Sequence, residues 1–511
     1  MSAIAIAIVN GRCADAASRR TRSNVIPDDA VNPEGPFSWL EWSGRATATE
    51  FDGERDTGHR SPAVRRPPGY AGIERGASAS ARFDLRIGAT AGRRSGTSRV
   101  GRAGDRPDDG VVTYDAIVVG ARCAGATTAL LLARAGHRVL LLERAKYPSD
   151  TLSTLYIHQS GVERLARWGL LDRIRQTGCP PLTTVSYRVA DVYLRGPAPT
   201  LPGVVGAFAP RRYVLDPILA EAAAEAGVEV REQTLVTGLT TEDGRVTGVR
   251  LRTANGAETT ERANLVIGAD GMRSTVAKFV DAPLYAEHPN LTCVYFTYWS
   301  GIPAHFEIYE RTGGWVAAVG THDDLTLIAS YLPQEQFAQV RRDPKAAYLA
   351  NIQATAPPLW ERLTEATMAE RLYGTGDQRN FFRQAHGPGW ALVGDAGHHK
   401  DSINAHGITD AFHQSELLAA ELTSGDDPTA TINDPVRQQA ALARFASARD
   451  TQMKPTYHTN LVTARLDPDP HLLSLLRAVQ DSPELTERYF SVVAGILSPE
   501  DLFTRDLLAR L

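Results

Sequence analysis

Two glycines and one acid in residues 114–144 have the types and spacing that bind a diphosphate and a ribose. Gly120 and Gly125 follow an apolar run, and Glu143 ends a second apolar run about twenty residues past the turn. The glycines permit a tight turn and close packing of the next helix, whose free N–H groups and dipole attract phosphate. A carboxylate at that distance accepts hydrogen bonds from ribose hydroxyls. The pattern predicts a dinucleotide site, and the alternative is an ordinary strand–turn–helix unit of another α/β fold.

One position in this motif differs from the usual glycine pattern, because Arg122 stands where the middle glycine is expected. Its side chain must either turn away from the phosphates or contact them itself. Cys123 is interpreted as a small packing residue and not as a reactive thiol. The residues of this unit that we expect to bind the cofactor are Gly120, Ala121, Cys123, Ala124, Gly125, Glu143 and Arg144.

Two later apolar runs end in pairs of aspartate and glycine. One run leads into Asp270-Gly271, and the other leads into Gly394-Asp395. Each pair taken alone is compatible with a buried strand that ends in a polar turn. Taken with the first motif, they predict three strands whose ends carry groups suited to one nucleotide.

In this order and at these separations, the three motifs resemble the para-hydroxybenzoate hydroxylase superfamily of FAD-dependent monooxygenases. The resemblance extends from residue 114 to about residue 421. It implies FAD as the cofactor and an α/β fold: a Rossmann-like FAD-binding domain with an inserted antiparallel β-sheet substrate domain and a helical C-terminus. Ser402 lies where the family's loop usually carries proline. In this respect the chain more closely resembles a bacterial FAD-dependent oxidoreductase subgroup near geranylgeranyl reductase-like proteins.

The resemblance implies roles for residues around the Gly-Asp pair. Asp395 would bond the ribityl hydroxyls of the flavin chain. The backbone N–H groups of Gly407 and Ile408 would face the pyrimidine side of the flavin and stabilise negative charge there. A helix predicted over 409–422 would direct its N-terminus to the same place.

Further roles are implied on the phosphate side of the cofactor. Asp270 and Gly271 resemble the Asp-Gly pair that serves FAD and nicotinamide positioning. Arg212 resembles the arginine that opens a helix beside the cofactor phosphates, and Arg211 is the competing candidate for that role.

The implied reaction is hydroxylation or epoxidation of an aromatic or apolar, polycyclic small molecule by dioxygen. It would proceed through a C4a-hydroperoxide of the reduced flavin, with NAD(P)H as the co-substrate that supplies electrons. Such chemistry needs a dry cavity. Residues 291–333 predict aromatic-rich antiparallel strands. Their large aromatic side chains either line the pocket or pack the core of the sheet, and those considered are Tyr295, Tyr298, Trp299 and Trp315.

The catalytic base remains a choice among three histidines. His158, His399 and His406 are the candidates for that role. The alternative is that each of them bonds the backbone or the FAD phosphates. The histidines near the Gly-Asp loop have no common metal-ligand spacing, so no metal is predicted.

Two other functions stay open at the level of sequence. One is FAD-dependent reduction of isoprenoid double bonds, as in geranylgeranyl reductase-like proteins. The other is a non-catalytic escort or binding protein that keeps the flavin fold. Residues 299–303 faintly resemble a signature of flavin halogenases, but the first tryptophan of that signature is missing, so halogenation ranks below these.

The composition excludes several classes of partner. The chain has 511 residues, a formal net charge of −4, and four cysteines without a C-x-x-C pair. These features argue against nucleic acid as a partner and against structural zinc, and they favour a reducing, cytoplasmic location. No apolar run reaches the roughly 18 residues of a membrane span, so stable membrane insertion is not expected. The sequence does not indicate an oligomeric state.

Composition sets the first residues of the chain apart, and the motifs with the family resemblance imply four further segments. Residues 1–110 contain seventeen arginines and no lysine, with no sustained periodicity, and we expect a disordered Arg-rich extension there. The other four segments are the first part of the FAD-binding domain (111–290), the antiparallel sheet substrate domain (291–370), the second part of the FAD-binding domain with the Gly-Asp motif (371–430), and a C-terminal helical region (431–511).

Overall fold

The computed structural model describes residues 113–511, so the expected Arg-rich extension, 1–110, lies outside the described residues. The strands are, in chain order, β1 (Thr113–Val119), β2 (Val139–Leu142), β3 (Thr184–Val189), β4 (Val192–Pro197), β5 (Glu229–Arg231), β6 (Thr234–Glu242), β7 (Arg245–Thr253), β8 (Glu258–Gly268), β9 (Leu284–His288), β10 (Thr292–Ser300), β11 (Phe306–Arg311), β12 (Gly314–Gly320), β13 (Thr326–Pro333), β14 (Thr367–Met368), β15 (Tyr373–Thr375), β16 (Asn380–Arg383), β17 (His386–Gly387), β18 (Trp390–Leu392) and β19 (His398–His399).

The helices follow the same order. They are α1 (Cys123–Arg134), α2 (Gln159–Arg167), α3 (Leu171–Gln176), α4 (Arg212–Glu225), α5 (Thr275–Phe279), α6 (Phe337–Val340), α7 (Pro344–Thr355), α8 (Pro357–Leu363), α9 (Gly407–Leu422), α10 (Ala430–Asn433), α11 (Pro435–Thr463), α12 (Pro470–Gln480), α13 (Pro483–Val493), α14 (Pro499–Leu502) and α15 (Arg505–Arg510). Within this part of the chain, no helix combines the length and the apolar character needed to cross a membrane.

The first sheet brings the three predicted motifs to one edge. Its strand order is β17-β18-β8-β1-β2-β5, and β1 pairs in parallel with both β2 and β8. Strand β18 pairs in parallel with β8. Because parallel strands point the same way, the residues that follow β1, β8 and β18 emerge at the same end of the sheet. The predicted Rossmann-like arrangement is therefore confirmed.

Apolar side chains cover both faces of this sheet. On one face, α1 packs against α4 and α9 in a core that includes Leu130, Leu215 and Phe412. On the other face, the β6–β7 hairpin contributes Val249 and Leu251 to a second core. The hairpin turns at residues 243–244, as the sequence predicts, because both adopt the positive φ angles of a tight turn.

The second sheet contains the predicted aromatic strands together with two strands that were not expected there. Its order is β14-β10-β13-β12-β11-β3-β4, and β10 to β13 pair antiparallel as predicted for 291–333. Strand β3 pairs in parallel with β11, although both β3 and β4 fall within the segment assigned to the first part of the FAD-binding domain, 111–290. Periodicity shows that a strand exists but does not show which distant strand it joins.

The C-terminal helices cover one face of the second sheet. Helices α12 and α13 supply Leu475, Leu485, Tyr489 and Phe490 to the core that also holds β3, β11 and β12 side chains. The opposite face packs against α7 and α8. The predicted helical C-terminus is confirmed. Its helix α13 forms one wall of an apolar cavity against this sheet.

The closest backbone approach in the first motif gives a direct test of the fold. We expect Gly125→Ala to lower the free energy of unfolding by about 3 kcal/mol or more, because overpacking against rigid backbone is not easily relieved. An added Cβ at Gly125 would lie 1.7 Å from the Gly120 carbonyl oxygen. Urea unfolding followed by circular dichroism measures the change.

The matched control is Gly196→Ala, whose added Cβ would meet Thr486 Cγ2 at an ordinary distance of 3.4 Å. It should shift unfolding by less than about 1 kcal/mol. Equal effects of the two substitutions would contradict the packing argument.

Candidate active site

The turn after β1 is tightly packed, and no residue larger than glycine fits at position 120 without strain. We call this turn the cradle. Gly120 has a φ of +98°, and a Cβ there would lie 2.6 Å from the Ala269 carbonyl oxygen. Glu143, which is 4% exposed, accepts hydrogen bonds from the backbone N–H groups of Ala121 (3.0 Å) and Ala145 (2.9 Å). The predicted acid therefore fixes the turn through backbone contacts at the edge where a nucleotide would lie.

Cys123 and Ala124 open α1 and are buried. The Cys123 thiol donates to Asp216 Oδ1 at 3.6 Å, and burial raises its pKa to about 12. It therefore stays a neutral thiol at physiological pH, in agreement with its interpretation as a packing residue. Arg144, which follows Glu143, is exposed.

Two arginines and one aspartate form an ion-pair cluster at this edge. Arg212 forms a bidentate pair with the fully buried Asp216, with distances of 2.9 and 3.0 Å. Arg122 Nη1 lies 3.7 Å from the same carboxylate, and this nitrogen has no hydrogen-bond partner among the described residues. Two guanidinium groups thus share one carboxylate, and the unpartnered Arg122 Nη1 is a donor that suits a phosphate oxygen.

Arg211 has a different set of partners from Arg212. It pairs with Asp150 at 3.0 Å and with Glu370 at 2.8 Å, and its guanidinium lies 3.7 Å from the centre of the Tyr298 ring. It therefore connects the region after β2 to the second sheet. Of the two arginines, Arg212 has the contacts that place it beside the first motif.

Asp270 works as a helix cap. Its Oδ2 accepts from the Thr275 N–H (2.6 Å) and the Val276 N–H (3.3 Å) at the start of α5, while its buried Oδ1 has no partner among the described residues. Gly271 adopts a φ of +80° and turns the chain toward this helix.

Asp395 lies in the Gly-Asp turn that follows β18. The residue is open to solvent on one side, and desolvation by the surrounding protein raises the pKa of its carboxyl group. The neighbouring Gly394 donates its N–H to Gln414 Oε1 at 3.0 Å, and a Cβ at Gly394 would lie 2.7 Å from the Ala124 Cβ. The Gly-Asp turn is thereby packed directly on the first turn of α1.

A short polar loop leads from this turn into α9. Ser402 donates to Gln378 Oε1 at 2.6 Å and lies 2.9 Å from the Tyr331 hydroxyl, so it bonds the loop to the second sheet. Ala405 takes the left-handed conformation (φ +53°) just before the helix. Gly407 is exposed at the first position of α9 and Ile408 is buried, and the first N–H groups of the helix have no acceptor within the helix itself.

An apolar cavity of about 220 Å³ lies beside this loop. Loop residues 403–406, the inner face of the second sheet and the helix α13 form its walls. Among the described residues that line it, none is Lys, Arg, Asp or Glu. The wall includes the side chains of Val185, Tyr187, Phe306, Ile308, Trp315, Leu327, Tyr331, Tyr489 and Phe490.

The four aromatic residues considered for the pocket lie at different places in the structure. Trp315 lines the cavity. Tyr295 and Trp299 pack on the other face of the sheet, where Trp299 Nε1 donates to the Tyr348 hydroxyl at 2.9 Å. Tyr298 lies beneath Arg211. The contribution of α13 to the wall was not identified from sequence, because nothing in its apolar spacing distinguishes a cavity wall from a core.

Two of the three candidate histidines meet at the cavity. The rings of His158 and His406 stack with centroids 3.9 Å apart, and both residues line the cavity. Burial lowers the pKa of His158 to about 4 and that of His406 well below its ordinary value. Both rings are therefore neutral near pH 7. Because His158 Nε2 lies 3.1 Å from the Asn404 carbonyl oxygen, Nε2 carries the proton and Nδ1 is the basic atom.

The third candidate, His399, lies elsewhere. Its Nδ1 contacts the Arg379 carbonyl oxygen, and its ring stacks on Phe381 with centroids 6.0 Å apart. It is close enough to influence the charge of Asp395 but does not line the cavity. Its contacts agree with the alternative of a histidine that bonds the backbone.

The cradle, the unpartnered Arg122 donor and the exposed start of α9 together fit a dinucleotide such as FAD. These features define a nucleotide-binding α/β protein with an attached cavity. Residues 113–432 match the family described as FAD binding domain, and the chain belongs to that family.

Curated relatives include both reductases and a monooxygenase. A digeranylgeranylglycerophospholipid reductase of Methanocella arvoryzae is 27% identical over 323 residues, which are 60% of this chain and 76% of the relative. A 6-methylpretetramide 4-monooxygenase of Streptomyces rimosus is 26% identical over 331 residues, which are 62% of this chain and 77% of the relative. This chain is thus an FAD-dependent oxidoreductase of a family in which both activities occur.

Solved structures support the fold. The myxobacterial chondrochloren halogenase, an FAD-dependent enzyme, superposes with a TM-score of 0.63 and 22% identity, and the match covers 78% of this chain and 95% of the halogenase. The fold class predicted from sequence is confirmed by this similarity.

The neutral histidines predict how stability depends on pH. The folded state resists protonation of His158, whose pKa falls from 6.5 to about 4, while the unfolded chain takes up that proton below about pH 6.5. The contribution of the neutral His158 to stability is therefore fully present above pH 6.5 and is lost as the pH falls toward 4. Because of this residue, we expect the free energy of unfolding at pH 5 to be about 1–2 kcal/mol lower than at pH 7, as measured by urea unfolding.

His158→Asn should make that loss of stability smaller, whatever its effect at pH 7. His471→Asn, which changes an exposed histidine, is the matched control and should leave the pH dependence as it was. Identical pH profiles for wild type and His158→Asn would contradict the argument.

Proposed function

We propose that this protein is a monooxygenase that hydroxylates or epoxidises an uncharged aromatic or polycyclic small molecule, with dioxygen and NAD(P)H as co-substrates. The observation that carries the proposal is the uncharged apolar cavity, which lies against the start of α9 and contains the stacked His158–His406 pair. An anionic substrate would need a cationic partner, and none of the described lining residues supplies one.

The residues proposed to hold FAD lie along one edge of the first sheet. Gly120 and Gly125 allow the tight backbone turn beside which the pyrophosphate is proposed to bind, and Arg122 with Arg212 would offset its charge. Glu143 is proposed for the ribose and Asp395 for the ribityl chain. Bound FAD would supply the redox chemistry, which no side chain of the protein can provide.

The N-terminus of α9 is proposed to face the flavin ring. The N–H groups of Gly407 and Ile408 are not used within the helix and point out of its first turn. Together with the helix dipole, they would favour negative charge on a group placed there. Gly407 suits this position because a Cβ there would meet nothing within 4 Å, so the exposed turn stays open to a ring.

The cavity wall has the task of excluding water. Its sheet side is built from buried residues such as Phe306 (8% exposed) and Leu327 (0%), and α13 closes the opposite side with Tyr489 and Phe490. An apolar enclosure strengthens electrostatic interactions and prevents loss of reactive species to solvent. It also favours substrates that bring little charge with them.

His158 is the proposed acceptor for a substrate proton. Its Nε2–H is committed to the Asn404 carbonyl, which leaves Nδ1 free to accept, and its lowered pKa keeps the ring unprotonated. Burial lowers the pKa of His406, and the stacked His158 lowers it further, since two adjacent imidazolium rings would repel each other. His406 is therefore proposed as a positioning residue.

The reductant is proposed to bind transiently near Asp270 and Arg212. The unpartnered Asp270 Oδ1 and the Arg212 guanidinium are the polar groups that support this location. A cytoplasmic location is proposed as well, because the described cysteines, Cys123, Cys179 and Cys293, are free and buried.

Reduction of an isoprenoid double bond is the second candidate. Ser402 in place of the usual loop proline and the archaeal reductase at 27% identity favour it. An apolar cavity also has the chemical character that a prenyl chain requires.

Purified full-length protein distinguishes these functions. We expect a yellow protein with bound FAD that consumes NAD(P)H and oxygen together when a neutral polycyclic phenol such as 2-hydroxyfluorene is added. Mass spectrometry should detect a product heavier by one oxygen atom. Turnover of a geranylgeranyl substrate without oxygen would favour the reductase, and a colourless, inert protein would favour the escort function.

The proposed role of Asp395 gives a binding test that does not need turnover. Asp395→Ala should weaken FAD binding by about 10- to 100-fold, because its carboxylate would lose charge-assisted hydrogen bonds to the ribityl chain. Quenching of flavin fluorescence measures the dissociation constant. Asp191→Ala removes an exposed carboxylate paired with Arg477 and serves as the control, with unchanged affinity. Unchanged FAD affinity in Asp395→Ala would remove this residue from the site.

A further inference from the structure

The cavity has a polar end that the proposed chemistry does not use. Along β11 the alternation of a strand places Phe306, Ile308 and Glu310 on the cavity face, and the first two line the cavity. Glu310 is 5% exposed, which makes it a buried carboxyl group at the margin of an otherwise apolar wall. Burial of this kind requires a partner.

Tyr187 supplies that partner. This residue lines the cavity and donates its hydroxyl hydrogen to Glu310 Oε2. Tyr489, from α13, lies close enough that the charge of Glu310 adds to the burial that raises the pKa of its phenol. Burial raises the pKa of Glu310 to about 7, so the acid lies near its midpoint at neutral pH.

Trp315 adds a donor that the protein does not use. It pairs directly across the strands with Glu310, its ring centre lies 6.1 Å from that of Tyr187, and it lines the cavity. The residue is 3% exposed, yet its Nε1–H has no acceptor among the described residues. An unpartnered buried indole N–H is costly, and a ligand oxygen would satisfy it.

The polar end lies far from the histidine pair. Tyr156 stacks on Phe306 at 4.1 Å and meets the His158 ring edge-on at 4.7 Å, so the Phe306 end of β11 is the histidine end of the cavity. Glu310 lies four residues further along the strand. At about 3.3 Å per residue, the two ends are about 13 Å apart, which is the length of a molecule with two or three fused rings.

We propose that Trp315, Tyr187 and Glu310 form a recognition subsite for an uncharged oxygen, a hydroxyl or carbonyl group, at the end of the substrate distant from His158. Trp315 Nε1–H donates to that oxygen, and the Tyr187 phenol oxygen accepts from it when it is a hydroxyl. The carboxyl group of Glu310 holds Tyr187 in place and disfavours a carboxylate in the same position. The inference rests on the proposed function only in taking this cavity as the substrate site.

Three matched probes test the subsite: 2-hydroxyfluorene, 2-methylfluorene and fluorene-2-carboxylate. Equilibrium dialysis against the FAD-loaded full chain should show 2-hydroxyfluorene bound about 5- to 10-fold more tightly than 2-methylfluorene. Trp315→Phe should abolish that preference. Ile308→Val, a nearby lining residue without a polar side-chain atom, should retain it. Glu310→Gln should strengthen binding of fluorene-2-carboxylate by about tenfold or more.

Several results would overturn the proposal. The first is that the wild type binds 2-hydroxyfluorene no more tightly than 2-methylfluorene, or binds neither probe. The second is that the Trp315→Phe variant keeps the preference for 2-hydroxyfluorene. If Trp315→Phe fails to retain FAD or native circular dichroism, Tyr187→Phe provides the same comparison and must also reduce the preference. Because dialysis does not depend on turnover, loss of oxygenation with intact discrimination would reject the proposed function and leave the subsite standing.

Discussion

The active-site architecture depends on the parallel pairing of β1 with β8, and of β8 with β18. The parts of these strands that lead into the motifs are apolar and buried, with Ile117, Val266 and Leu392 fully excluded from water. Their burial stabilises the sheet, and their common direction brings three motifs that are distant in sequence to one edge. The position of the proposed nucleotide-binding cleft therefore follows from the strand order of the sheet. The charged groups around the cleft need only orient a bound ligand and select among ligands.

Burial also sets the protonation states around the cavity. It lowers the pKa of His158 to about 4, and it raises the pKa of Asp401 to about 6 and that of Glu310 to about 7. All three shifts have the same cause, which is the cost of charge in an environment that excludes water. Asp401 offsets part of this cost by accepting from Thr292 Oγ1 and from the Ile403 N–H, which also shapes the loop before α9.

The first sheet and its motifs could be predicted from sequence because their signals are local. Apolar runs end in glycine and aspartate, and such residues make tight turns for reasons of backbone geometry. The parallel pairing of β3 with β11 and the role of α13 as a cavity wall could not be predicted, since both depend on contacts between distant segments. The same limit explains the histidines: sequence proposed three candidates, and only the fold shows that His158 and His406 stack while His399 lies apart.

The polar end of the cavity bears on the choice between oxygenation and reduction. A prenyl chain is apolar along its length and would leave the Trp315 N–H without an acceptor, whereas an oxygenated ring system would satisfy it. A rigid ring also spans the distance from the histidine pair to Glu310 with little loss of conformational entropy, which a flexible chain would have to lose on binding. The two ends of the cavity, with the neutral His158 ring at one and the unpartnered Trp315 N–H at the other, are thus more consistent with the proposed oxygen-bearing aromatic substrate than with a prenyl chain.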